Sequence, residues 1–97
     1  MPPPQLKFEF DRRKAASNLH KHGVSFTEAM TAFDDPLSAT FPDDLHSEDE
    51  ERFITIGLSS IQRLLFISHL EHDDTIRLIG ARLATIAEKK DHEEASH

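Results

Sequence analysis

RFITIGL at Arg52–Leu58, RLLFISHL at Arg63–Leu70 and TIRLIGA at Thr75–Ala81 are the three stretches that decide the fold of this chain. In the first, Phe53, Thr55 and Gly57 alternate with Ile54, Ile56 and Leu58, the two-residue period of a strand. The second holds the most apolar run, Leu64 to Ile67, and reads as a central strand. Only Ser59–Gln62 and Glu71–Asp74 separate the three. Neither is long enough for a crossover, so neighbouring strands pair antiparallel as a meander. The first turn lacks the Asn-Gly signal of the tightest hairpins.

Upstream of the meander the pattern changes to helices. Leu6, Phe8 and Phe10 alternate with Lys7 and Glu9, which predicts one more half-buried strand. Asp11 is a good helix cap for Arg12–His22, with Ala15, Ala16 and Leu19 at helical spacing and Gly23 as the stop. The pattern Ser25-Phe26-Thr27-Glu28 is a capping box that opens a second helix, with Phe26, Ala29, Met30 and Phe33 inward and Asp34-Asp35-Pro36 as its end. Leu37 to Phe41 has the character of a short edge strand, and Pro42 to Glu51 is too polar to bury. Downstream, Thr85-Ile86-Ala87-Glu88 is another capping box, for a C-terminal helix that fades towards His97. The expected architecture is α+β: a small antiparallel sheet in the order β-α-α-β-β-β-α with helices packed on it. It forms one domain over residues 6–95, after an extended Pro-rich lead-in at residues 1–5.

Composition narrows the chemistry. The chain has 97 residues, no Cys, and 30% charged residues against 37% hydrophobic ones. That describes a soluble domain without disulfides or thiolate metal sites, as suits a reducing cytoplasm. No apolar run approaches a membrane span, and no nucleotide loop, nucleophile elbow or zinc pattern occurs. Seven Phe with no Trp or Tyr exclude a catalytic tyrosine and leave little for base stacking. The net charge of −7 is unevenly placed: eight acids and no Lys or Arg between Asp34 and Glu51, but four basic residues and no acid between Arg12 and His22. The acidic run is either solvated surface, a face that repels RNA, or a dock for a basic partner.

Four stretches, in order, resemble one family. They are Phe8-Glu9-Phe10-Asp11, then Asn18 to Phe26 with its Lys21-His22-Gly23-Val24 core, then Glu51 to Gly57, and finally Ile76 to Arg82 with Ala84-Thr85. Together they span most of the chain and resemble the BrnT family. The resemblance implies a RelE-like fold and the activity of a ribonuclease toxin, cutting RNA without a metal or other cofactor. It also implies neutralisation by a dimeric, ribbon-helix-helix (BrnA-like) antitoxin, with DNA reached only through that complex.

Such cleavage needs a base for the 2′-hydroxyl, cations for the phosphorane charge and an acid for the leaving oxygen. His69 is the candidate for proton transfer, with Arg52, Arg77 and Arg82 as its catalytic partners. Arg63, Lys21, His22, Lys89 and His92 are candidates for RNA binding. Arginine suits a phosphate because its planar fork reaches two oxygens and stays charged. Arg52 has the acids before it as rival partners, and Lys21 and His22 equally suit the end of a helix dipole. His46 with Asp43 and Asp44 reads as solvated loop rather than a metal site. The chain departs from the family pattern at Gly80, Leu83, Ile86, Ala87 and His92. The alternative is therefore a weakened or inactive module that acts through antitoxin binding and operon control.

Overall fold

A computed structural model of the chain describes residues 6–95. The expected lead-in at residues 1–5 and the expected fading of the C-terminal helix towards His97 lie outside them. The elements in order are β1 (Lys7–Glu9), α1 (Arg12–His22), α2 (Phe26–Ala32), β2 (Ala39–Pro42), β3 (Arg52–Leu58), β4 (Leu64–His72), β5 (Thr75–Leu83) and α3 (Ile86–Ala95), with a 3-10 turn at Asp44–His46.

The three strands expected from the sequence form the antiparallel meander β3-β4-β5. The α+β class is as expected, and the sheet is wider and mixed. The segment after α2 does make an edge strand, β2, which pairs antiparallel with β3, while β1 adds at the other edge, parallel to β5. The resulting order is β1-β5-β4-β3-β2.

Caps act where the sequence places them. The Asp11 carboxylate accepts hydrogen bonds from the backbone N–H groups of Arg13 and Lys14, and Ser25 accepts one from Glu28. Gly23 ends α1 in the left-handed region at φ 67°, its N–H bonded to the Leu19 carbonyl. Helices α1 and α2 pack on one face of the sheet. There Val24, Phe26, Ala29 and Ala32 meet Leu65, Ile67, Ile76, Leu78 and Ala81 in one core.

One expectation about α1 is corrected. Leu19 is half exposed, and the residue that α1 buries is Asn18. Strand β1 covers only Thr75–Arg77 of β5, so the rest of that edge needs another partner. The Asn18 amide supplies one: its Nδ2 donates to the Ala81 carbonyl at 2.8 Å, and its Oδ1 accepts from the Ala81 N–H at 3.0 Å. A third bond, from Nδ2 to the Val24 carbonyl, ties down the chain after the helix.

The opposite face of the sheet matters for function. Registers Phe53↔His69, Thr55↔Ile67 and Gly57↔Leu65 lie under the helices, so the alternate set points away from them: Arg52, Ile54 and Ile56 of β3 and Phe66, Ser68 and Leu70 of β4. On β5, Ser68 faces Gly80 while the next residue, His69, faces Leu78, which leaves Ile79 as an extra residue in a bulge. Arg77 and Arg82 are an odd number apart and would otherwise lie on opposite faces. The bulge puts both on the face away from α1 and α2, opposite Leu70 and Phe66.

Candidate nucleic-acid interface

Register alone sets the frame of this face. Arg52, Leu70 and Arg77 form one cross-strand row, and Ile56, Phe66 and Arg82 form another. The rows stand about 13 Å apart along the strands, and Arg52 and Arg77 stand roughly 10 Å apart across the first of them. Between them lie Ile54, Ser68 and Gly80, small or apolar, with Phe41 of β2 exposed at the margin.

The two ends differ electrostatically. Arg77 is 3.3 Å from Glu9 and lines a hollow of about 360 Å³ whose rim includes Glu9, Glu50, Glu51 and Glu71. Arg52 lines a second hollow with Glu48, Asp49 and Glu50. A phosphate approaching either meets several carboxylates first. Arg82 stands at the other end. Its guanidinium carbon lies 4.0 Å from the centre of the Phe66 ring, a cation–π contact, and its Nη1 donates to the Leu83 carbonyl at 3.2 Å. The guanidinium fork is held by Glu88 of α3 through two bonds, Nη1 to Oε1 at 2.8 Å and Nη2 to Oε2 at 2.9 Å. Hydrogen bonding to Arg82 holds the Glu88 carboxyl below the usual carboxylate range, and the same bonds raise the Arg82 guanidinium. Glu88 also closes the expected capping box, accepting from the Thr85 N–H while its own N–H bonds the Thr85 hydroxyl.

The other candidates are dispersed. His69 does not reach the site. It is fully buried on the helix-covered face, between Phe33 at 5.2 Å and Phe53 at 6.1 Å. Its Nε2 shares a hydrogen bond of 2.7 Å with the Thr55 hydroxyl, which pairs in turn with Thr40. Its Nδ1 has no hydrogen-bond partner among the described residues, and the nearest carboxylate, Glu71, stands at 3.8 Å. Burial lowers its pKa to about 4, so at neutral pH it is an uncharged core residue. This corrects its expected part in proton transfer: strand parity, which periodicity around residues 63–70 leaves open, turns it inward.

Arg63 is likewise a structural clamp. Its guanidinium is paired with Glu28 of α2 and donates to the Gly23 carbonyl, fastening the β3–β4 turn to both helices. That engages the N–H groups an RNA phosphate would use. Lys21 and His22 are exposed at the end of α1, in a groove between that helix and β5. On α3, Lys89 is exposed beside Glu88 and His92 is half-buried. Among the described residues no group of three His, Cys, Asp or Glu side chains is placed to hold a metal ion. No helix among them is long and apolar enough to cross a membrane. Phe66 and Glu88 are the residues that sequence reasoning missed here. The capping box singled out Glu88, but nothing in its spacing says that the same carboxylate closes on an arginine six residues earlier.

The chain is similar to known proteins in sequence and in fold. Residues 10–88 match the family model described as the ribonuclease toxin, BrnT, of type II toxin–antitoxin systems. The fold is similar to the crystal structure of the Brucella abortus ribonuclease toxin, BrnT, with a TM-score of 0.65 and 23% identity over 84% of this chain and 99% of that one. None of the curated proteins compared with the chain matches it.

Proposed function

The chain belongs to the BrnT family of ribonuclease toxins of type II toxin–antitoxin systems, and from that premise we propose that it is a metal-independent endoribonuclease that cuts RNA at the Arg82 end of the open sheet face. The observation that carries this reading is the Arg82 fork, set over Phe66 and closed by a carboxylate. A bidentate carboxylate occupies the position that two phosphate oxygens would take on the same fork. RNA binding exchanges Glu88 for a phosphate, which frees an ionised carboxylate beside it. The 2′-oxygen then bonds to phosphorus as the bond to the 5′-oxygen breaks. The 2′-hydroxyl proton passes to Glu88, a proton from solvent reaches the leaving 5′-oxygen, and Arg82 stabilises the extra charge on the phosphorane. Arg77 and Arg52, ringed by acids, mark the far end of the same face, where RNA binding must displace carboxylates first.

Family membership implies a cognate antitoxin. The proposal is that this antitoxin is a dimeric ribbon-helix-helix protein, that it restrains the toxin in the cytoplasm, and that it carries the complex to DNA. A second reading is favoured by one observation: Arg77 and Arg82 are both already paired with glutamates, as they would be in a module kept only for binding.

Inducible expression of the chain without its antitoxin separates the two. The expected outcome is growth arrest with fragmented RNA, relieved in the Arg77→Ala/Arg82→Ala double variant, whose cleavage falls by roughly 100-fold or more. Glu88→Gln keeps the capping box and is expected to lose cleavage while still binding RNA. Equal growth of wild type and double variant, with intact RNA, rules out the enzyme.

A further inference from the structure

The arginines of the sheet face are paired or ringed by acids, whereas the cations of α1 are not. Arg12, Arg13, Lys14 and Lys21 form no side-chain ion pair among the described residues, in a chain with 18 acids and 11 Lys and Arg. Three of them stand in the first turn of the helix, which contains no acid. Positive charge there opposes the helix dipole, and the one nearby carboxylate, Asp11, is taken up by backbone N–H groups. Dipole compensation explains Lys21 and His22 at the far end but not Lys14. A helix that keeps unfavourable charges without an internal partner has a local conflict of the kind found at functional positions.

Geometry joins Lys14 to Lys21. Lys14, Ser17 and Lys21 run down one stripe of α1 and, with His22, line a groove of about 310 Å³ floored by Gly80, where β5 lacks a neighbouring strand. The two lysines are about 10 Å apart along the axis, too far for a single phosphate to bridge but within reach of successive phosphates on one strand. Gly80 is two residues from Arg82, so the groove leads around the sheet edge towards the proposed cleavage end.

We propose that this α1–β5 groove is a binding track for the phosphodiester backbone of single-stranded RNA, with Lys14 and Lys21 as its phosphate contacts and Ser17 and His22 as hydrogen-bonding neighbours. The inference rests on the RNA-cleaving reading and adds where the substrate strand runs beyond Arg82. An unpaired strand fits because the contacts are to backbone charge at one shallow groove rather than to base edges.

The test is fluorescence anisotropy of the full chain with a labelled, 2′-O-methylated RNA oligonucleotide, which lacks the attacking hydroxyl, across a series of salt concentrations. Lys14→Gln/Lys21→Gln is expected to weaken binding about tenfold or more, and to reduce the slope of log affinity against log salt by roughly 1.4, two contacts' worth for a single strand. Both lysines are exposed and unpaired, so the variant keeps its circular dichroism and melting temperature. Unchanged affinity and slope, with wild type binding tightly, overturn the groove and leave the ribonuclease reading standing. A wild type that neither binds this RNA nor cuts an unmodified one overturns both. Poly-glutamate competing as well as RNA at equal charge concentration assigns the groove to an acidic protein instead.

Discussion

Asn18 shows what a single side chain settles in this molecule. Helical spacing points to Leu19 as the inward residue, because hydrophobic periodicity registers apolar side chains and is blind to a polar one that faces the core. The open half of β5 leaves backbone groups that burial does not tolerate unpaired, and a side-chain amide, donor and acceptor in one plane, is the group that mimics a strand there. Its three bonds reach Val24 and both backbone groups of Ala81. Asn18→Ala is therefore expected to destabilise the fold by about 1–3 kcal/mol, the range for leaving a buried polar group unsatisfied. Urea denaturation measures it, and a loss below about 0.5 kcal/mol would show that water or a shift of α1 replaces the amide. His69 teaches the same lesson in reverse: a histidine near a strand end suggests chemistry, but which face it takes depends on a register that the sequence does not print.

At the level of elements, the meander was legible because one strand alternates, the next is a short apolar run, and only short turns join the three. The parallel docking of β1 was not, since three residues carry no information about which edge they join. Nor was the β5 bulge, and with it went the reason that Arg77 and Arg82 share a face. Gly57 marks another contact invisible to periodicity. A Cβ placed there would stand 2.5 Å from the Ala32 carbonyl oxygen and 3.1 Å from the Ser38 Cβ, so the end of α2 crosses β3 at backbone distance. The Leu58 N–H bonded to Asp35 and the Ser60 N–H bonded to Thr31 hold the two elements in that approach. Gly57→Ala must push α2 away or bend β3, with an expected loss of about 1–3 kcal/mol. Gly80→Ala is the control, because its Cβ would meet only Asn18 Oδ1 at an ordinary 3.6 Å. Equal melting temperatures for the two variants would refute the close approach.

Across the whole molecule the separation of charge was plain from the sequence, while the partners of each charge were not: Arg63, Arg77 and Arg82 meet glutamates 35, 68 and 6 residues away. These pairings predict how the entire fold responds to acid. The buried His69 has a pKa of about 4 against an ordinary 6.5, so between those values the unfolded chain binds a proton that the folded one refuses. Stability from this group is complete above pH 6.5, falls as pH drops towards 4, and has then lost about 3 kcal/mol. Glu28, held below the usual carboxylate range by its hydrogen bond from Arg63, and Glu88, held there by Arg82, act later. Their stabilisation is present above pH 4.5 and is lost as pH falls below it. The urea midpoint is therefore expected to decline in two stages, one beginning near pH 6.5 and a steeper one below 4.5. His69→Gln, which keeps a polar group beside Thr55 but does not titrate, removes the first stage and leaves the second. Glu28→Gln weakens the second and leaves the first. A wild-type midpoint that stays level down to pH 5 would mean that His69 accepts its proton inside the fold, with Glu71 close enough to hold the charged ring.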